Sequence, residues 1–287
     1  MKKTACLLGD PVSHSISPLM HNTAFKLLGL DYTYTCFQVN ENTLGAAVAR
    51  LRKEQVLGFN LTMPNKVKVL EYLDELTPAA RLIGAVNTVE NRDGHLIGHN
   101  TDGIGFLRSV RENGISVKGN TLTLLGIGGA ASAICTQAAL DGAGNIHVFA
   151  RLGSRRLPAM KALIEKLRTE TSCRFLLHDL EQKDVLRSCL AESVLLIQAT
   201  SVGMEPFCED CLIPSPDFLP SGLAVGDVIY SPPKTRLLKM AEEQGCRCFN
   251  GHSMLLYQGA EAFRIWTGQD MPVEQIRTVL FPPISAM

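Results

Sequence analysis

A chain of 287 residues, 46% hydrophobic and 20% charged, can bury the cores of two modest domains. Its 28 basic residues balance 28 acidic ones, so no global field recruits nucleic acid or an anionic membrane, and any anion recognition must be local. No apolar run approaches a membrane span, the first one meets Gly9-Asp10-Pro11 too soon for a signal-peptide core, and nine Cys scattered through apolar stretches read as thiols in a reducing compartment. The expected setting is the cytoplasm.

From residue 4 to 103, short β-like runs alternate with amphipathic helical ones, the rhythm of βα units over a mainly parallel sheet. Strands are expected at 4–8, 33–39, 56–60 and 86–90, and helices at 18–28, 43–53 and 65–73. Ser17 reads as the cap of the first helix, with Pro18 in its first turn, where a missing amide hydrogen costs nothing. Arg92-Asp93-Gly94 reads as a hairpin turn before 95–98. Residues 32–37 could supply an edge strand for a dimer or lie inside a sheet, so a monomer and a homodimer both stay open.

A second unit begins after Asn120. The run Thr121-Leu122-Thr123-Leu124-Leu125 feeds Gly126-Ile127-Gly128-Gly129-Ala130-Ala131 and then a helix to about 140, with later strands at 145–150, 174–177, 194–198 and 224–229. This unit is expected to close near Tyr230. Helices over 235–244 and 253–267 would then return to the first domain, giving a discontinuous domain of 1–103 plus 236–287 around an inserted 104–235. Both domains are α/β, and the second is a doubly wound parallel sheet of Rossmann type.

The glycine run fits a dinucleotide fingerprint in context, because it follows a strand and opens a helix. Gly126 permits the tight turn, Gly128 admits the pyrophosphate to the backbone, and Ala131 stands where a small residue packs helix on strand. Helix-start amides then face the phosphates. After the next strand, Ala150-Arg151-Leu152-Gly153-Ser154-Arg155-Arg156 offers three Arg and no carboxylate for ribose hydroxyls, which favours NADP over NAD.

Lys66, in Asn60-Leu61-Thr62-Met63-Pro64-Asn65-Lys66, and Asp102, in Asn100-Thr101-Asp102-Gly103, form a candidate catalytic pair for the proton that accompanies hydride transfer. Singly, each would read as a surface charge; the neighbouring Thr62, Asn65, Asn87, Thr88, Asn100 and Thr101 are the amide and hydroxyl groups that bind a polyhydroxylated ligand. No metal is expected. A structural zinc site needs four ligands converging from tight turns, and of Cys208-x-x-Cys211 and Cys246-x-Cys248 the second pair lacks the usual two-to-four residue spacer; the seven His are dispersed, with surface or core-edge roles as the default.

Taken together, Ser15-Ile16-Ser17-Pro18, residues 60–66, Gly84-Ala85-Val86-Asn87-Thr88, Asn100-Thr101-Asp102-Gly103, the Gly126 loop, Asp227-Val228-Ile229-Tyr230 and the run from Gly251 through Tyr257-Gln258-Gly259-Ala260 resemble the shikimate dehydrogenase family, over nearly the whole chain and in order. The resemblance implies two α/β domains around a deep cleft. It implies that Ser15 and Ser17 bind a substrate carboxylate, that Thr62, Asn87, Tyr230 and Gln258 contact the substrate's polar rim, and that Lys66 and Asp102 are catalytic. It also implies that Gly126, Ile127, Gly128, Gly129, Ala130, the turn from Ala150 through Arg151 to Arg155, Ser201, Val228 and Gly251 line a nicotinamide dinucleotide. Within the family the motifs look most like the quinate/shikimate dehydrogenase paralogues, which take either cofactor and accept quinate as well as shikimate. The turn at Ala150 and the loop at Gln198 depart from the shikimate-specific pattern, in which an Asn usually starts each. The implied partners are a small-molecule substrate and NADP or NAD. A catalytically idle nucleotide-binding module of the same fold is the rival reading.

Overall fold

The computed structural model describes residues 3–282. Two compact units divide the chain: Met1–Thr101 with Leu256–Met287, and Asp102–Leu255.

The first unit contains β1 (Lys3–Gly9), α1 (Ser17–Leu27), β2 (Tyr32–Gln38), α2 (Leu44–Lys53), β3 (Gly58–Leu61), α3 (Asn65–Lys68), β4 (Glu75–Leu76), α4 (Pro78–Ile83), β5 (Thr88–Arg92) and β6 (His95–His99). Its sheet runs β2-β1-β3-β5-β6-β4. Residues 5–8 of β1 are apolar without a break because both faces are covered. Ala5 and Leu7 join a cluster with Phe25, Tyr34, Phe263 and Trp266, while Cys6 and Leu8 join one with Leu44, Leu51, Phe59 and Leu96. The sheet is mixed rather than mainly parallel, because β5 runs antiparallel to both β3 and β6. The hairpin turn stands where expected, with positive φ at Asp93 (51°) and Gly94 (93°), the pair a type I′ turn requires. Ser17 is not the cap of α1. Ile16 holds that position, and Ser17 opens the helix with its amide donating to Ser15 Oγ at 3.3 Å.

In the second unit, α5 (Asp102–Glu112) precedes β7 (Thr121–Leu125), α6 (Gly129–Leu140), β8 (Asn145–Ala150), α7 (Leu157–Glu170), β9 (Arg174–Asp179), α8 (Lys183–Glu192), β10 (Leu195–Gln198), β11 (Ala224–Asp227), α9 (Arg236–Glu243) and β12 (Arg247–Phe249). All pairings are parallel and the order is β12-β11-β10-β7-β8-β9. The chain therefore winds outward from β7 through β8 and β9, then crosses back to β10 and winds the other way, the doubly wound Rossmann pattern. The return to the first unit comes later than 236: α9 and β12 stay here, since β12 pairs with β11 and Leu237 and Leu238 bury against Leu125, Leu196 and Val225. Helix α10 (Gly251–Thr267) carries the chain back, and α11 (Val273–Leu280) closes the first unit, its Ile276 buried beside Trp266. All nine cysteines are free thiols.

Candidate active site

In the first unit, sheet direction gathers the motif residues. β1 and β3 are parallel, so the loops leaving them emerge at one end, tied by the Asp10 amide donating to Met63 O at 2.9 Å. β5 enters antiparallel beside β3, which sets Asn87, just ahead of it, against the end of β3, with Leu61 N donating to Asn87 O at 2.8 Å. β6 leaves beside that point, and Asn87 N donates to His99 O at 3.1 Å. Thr62, Lys66, Asn87, Asn100 and Thr101 thus collect at one end of one sheet because a hairpin interrupts the parallel order.

A continuous hydrogen-bonded chain fixes that end. The Tyr34 hydroxyl donates to Asn60 Oδ1 (2.8 Å), and Asn60 Nδ2 donates to Thr88 Oγ1 (3.0 Å). Thr88 Oγ1 donates to Asn87 Oδ1 (3.0 Å), which also accepts the Thr101 amide (2.8 Å), while Asn87 Nδ2 donates to Thr101 Oγ1 (2.9 Å). All five residues are buried, and mutual pairing is what makes so many polar groups tolerable there. Burial pushes the Tyr34 phenol well above its usual range, and the nearby Ser17 hydroxyl works against that rise. The loop carrying Lys66 is pinned twice: Asn65 Nδ2 donates to Val39 O at 2.7 Å, and Lys66 O accepts the Val86 amide at 2.8 Å. Ser15, Ser17, Thr62, Lys66 and Gln258 are half-buried, the exposure expected of groups facing a ligand.

The second unit builds its site from backbone. Gly126 follows β7 at φ +108°, and a Cβ there would lie 2.7 Å from Thr200 Cγ2 and 2.8 Å from Ala199 O, so only glycine fits. Gly128 caps α6, and the first amides of that helix lack intrahelical acceptors. Ile127 completes the loop, Gly129 and Ala130 form the first turn of α6, and Ala131 is buried. Asp102 opens α5, where Gly103 has no room for a Cβ because it packs on Ala133 O of α6. The glycine that follows Asp102 therefore docks its helix on the helix that starts at the glycine loop.

The other expected cofactor residues stand at the carboxyl ends of neighbouring strands. Ala150 ends β8, and Arg151 and Arg155 are exposed in the turn beyond it. Ser201 lies in the loop after β10, while Val228 and Tyr230 follow β11, Tyr230 being exposed and its ring 6.4 Å from that of His252. Gly251 donates its amide to Ile229 O at 2.9 Å and leaves no space for a Cβ above Val228 O. Loops after β7 and β10 flank the switch in strand order, where open α/β sheets bind ligands.

Three residues at this end stand in motifs read from the sequence but carry no individual site role there. Arg156 Nη1 sits 3.1 Å from where a Cβ on Gly128 would be, closer to the glycine loop than its place at the far end of the Arg run suggests. Gln198, where the family pattern has Asn, holds its loop with Nε2 donating to Val202 O (2.8 Å) and Oε1 accepting from Thr200 Oγ1 (3.0 Å). Asp227 is buried, accepts the Ile229 amide (3.0 Å) and the Thr235 hydroxyl (2.8 Å), and is raised by burial to about 6. Its position inside Asp227-Val228-Ile229-Tyr230, a carboxylate in an apolar run, was the available signal.

A model of the shikimate dehydrogenase substrate binding domain matches residues 7–89, and one of the shikimate 5'-dehydrogenase C-terminal domain matches residues 251–281. A shikimate dehydrogenase (NADP(+)) from Listeria innocua is 50% identical over 275 residues, covering 96% of this chain and 94% of the relative. The crystal structure of a Listeria monocytogenes shikimate 5-dehydrogenase in complex with shikimate and NAD superposes with a TM-score of 0.95 at 48% identity, covering 98% of this chain and 96% of that one. A Corynebacterium glutamicum quinate dehydrogenase in complex with NAD superposes at 0.86 with 28% identity, covering 97% of this chain and 98% of that one. Identity at half the positions along almost the whole length leaves one assignment: the chain belongs to the shikimate dehydrogenase family.

Proposed function

We propose that the protein interconverts 3-dehydroshikimate and shikimate with NADP(H) as the preferred cofactor, accepting NAD(H) and quinate as slower alternatives. The observation that carries this reading is 50% identity to a shikimate dehydrogenase over 96% of the chain, together with retention of Ser15, Ser17, Lys66, Asn87, Asp102 and Gln258. A decayed, idle module has no physical need for all six.

The second unit, assigned as the dinucleotide-binding domain, fits such a cofactor on its own geometry: a left-handed Gly126, a Gly128 without side chain and a helix start lie on one loop. Arg151 and Arg155, with no carboxylate at the end of β8, support a 2′-phosphate. Ser201, Val228 and Gly251 complete the lining. When bound, the nicotinamide dinucleotide supplies hydride to the ring carbonyl or takes it back from the alcohol.

The first unit, assigned as the substrate domain, supplies the remaining roles except those of Asp102 and Tyr230, which belong to the second unit. Ser15 and Ser17 donate to the ring carboxylate, and Thr62, Asn87 and Gln258, with Tyr230, orient the hydroxyls. Lys66 and Asp102 hold and pass the proton that joins or leaves the carbonyl oxygen, acting as a general acid–base pair. Oriented amides and hydroxyls already paired in the free protein need no rearrangement to do this. Free thiols and balanced charge support action in the cytoplasm, as monomer or homodimer, with β2 at the sheet edge.

Initial rates of NADP and NAD reduction with shikimate and with quinate test the reading. Shikimate with NADP is expected to give the highest kcat/KM. A flat nicotinamide absorbance in all four mixtures would favour the idle module, and quinate ahead of shikimate would overturn the substrate assignment.

A further inference from the structure

Sequence spacing presents the histidines as dispersed, yet strand pairing brings two of them together with a thiol. His147 lies in β8 and His178 in β9, and the register sets His178 opposite Phe149, diagonal to His147 on the same face. Helix α8 covers that face and lowers Cys189 onto it, beside Phe149 and Leu186. His147 Nδ1 lies 3.0 Å from His178 Nε2 and 3.3 Å from Cys189 Sγ, and the three donor atoms all fall within 4.8 Å of one another.

Hydrogen bonding alone serves this cluster poorly. A ring nitrogen carries either one hydrogen or one lone pair, so His147 Nδ1 cannot make two well-aligned bonds to His178 and Cys189 at once. A cation resolves the conflict, since all three atoms can turn lone pairs to a common centre. Zinc–nitrogen bonds of about 2.0–2.1 Å and a zinc–sulfur bond of about 2.3 Å, at tetrahedral angles, separate such ligands by roughly 3.3–3.6 Å, close to the two separations from His147 Nδ1 of 3.0 and 3.3 Å. On ligation the thiol proton leaves to solvent as the sulfur–metal bond forms. Of the three residues, His147 also lines an open cavity of about 480 Å³, with Asn145, Arg168, Cys173 and Glu192 around it.

We propose that His147, His178 and Cys189 form a His₂Cys site for one borderline-soft divalent cation of the zinc type, its fourth position open to the cavity and to Glu192 or water. Two imidazoles and a thiolate select this class over magnesium or calcium, which take oxygen ligands. The ion would staple β9, the edge strand of the sheet, to β8 and α8.

Cobalt(II) is the probe. Full-length protein, stripped by a chelator and kept reduced without added thiol, is titrated with cobalt chloride. One equivalent should produce a thiolate-to-cobalt charge-transfer band with intense visible bands of a tetrahedral ion. Both should disappear in Cys189→Ser and in His178→Gln, and zinc should raise the thermal midpoint of the wild type while leaving the variants unmoved. Absence of the band in the wild type overturns the site, as does a band that survives either substitution, which would place the ion on other cysteines. His178 is only half-buried on an edge strand, so if Cys189→Ser fails to fold, His178→Gln decides alone.

Discussion

The two units build their sites by opposite means. The first holds amides and hydroxyls in a buried chain from Tyr34 through Asn60, Thr88 and Asn87 to Thr101, so the site proposed there is made of side chains. The second clears side chains away from Gly126, Gly128 and Gly251 and offers main-chain groups. A side-chain site ties function to fold, because the groups that face the ligand also satisfy one another. A backbone site is decided by what is missing, and one added methyl can close it.

Lys66 breaks the first half of that contrast, and its loss carries the largest expected effect. Its loop is pinned by the Asn65 side chain and by main-chain bonds, so Lys66→Ala should leave the loop in place while turnover falls at least about 100-fold, the loss expected of an acid–base group. Unchanged turnover would remove Lys66 from the mechanism. Asn87→Ala should behave otherwise. It leaves the buried Thr101 amide without its Asn87 acceptor, at a cost of about 1–3 kcal/mol, so denaturant unfolding and activity should fall together.

Gly126→Ala tests the second half. Its φ of +108° and the 2.7 Å approach to Thr200 leave no room for the methyl, and the KM for cofactor should rise about tenfold or more while the KM for shikimate holds. A matching rise in both would mean the loop acts through the whole fold. Arg151→Ala should act more gently, weakening NADP about tenfold, which is about 1.4 kcal/mol, and NAD less. Equal losses would place Arg151 on the phosphates or ribose common to both.

The same contrast explains what sequence disclosed. The backbone site was legible because glycine spacing after an apolar β run has few other uses, and the β7 and β8 bounds, Thr121–Leu125 and Asn145–Ala150, match the expected ranges. The polar residues of the first unit were legible as types, but their convergence was not, since it depends on β5 turning antiparallel, a tertiary choice with no local signature. The return of the chain at 236 was misplaced for a related reason: α9 is amphipathic whichever unit it covers, and only the pairing of β12 with β11 decides. The short β4 and α4 are too brief for periodicity to register. Ser17 looked like a helix cap because Ser before Pro usually is one, whereas here Ser15 supplies the oxygen. His147 and His178 are 31 residues apart and meet only through register.

Acid separates the units in one further way, with a small net effect because two slopes oppose each other. His21 in the first unit is fully buried among Tyr34, Phe263 and Trp266, its ring nitrogens find no partner among the described residues, and burial lowers it from 6.5 to about 3. Unfolded chains then bind more protons than folded ones between these values, so this group's contribution is full above 6.5 and is lost as pH falls toward 3. Asp227 in the second unit has the reverse sign. Raised from 3.8 to about 6, it binds its proton more tightly when folded, so its contribution is full below 3.8 and is lost as pH rises through 6. Trp266, the single tryptophan, has its ring 5.3 Å from that of His21 and so reports the first unit alone. His21→Phe should shift the acid transition of its emission to lower pH, and Asp227→Asn should leave that transition in place. Measured by denaturant unfolding of the second unit, the gain of Asp227→Asn over wild type should grow between pH 4 and 7. A gain that shrinks with rising pH would show that the carboxylate is held charged by its bonds to Ile229 and Thr235 rather than penalised by burial.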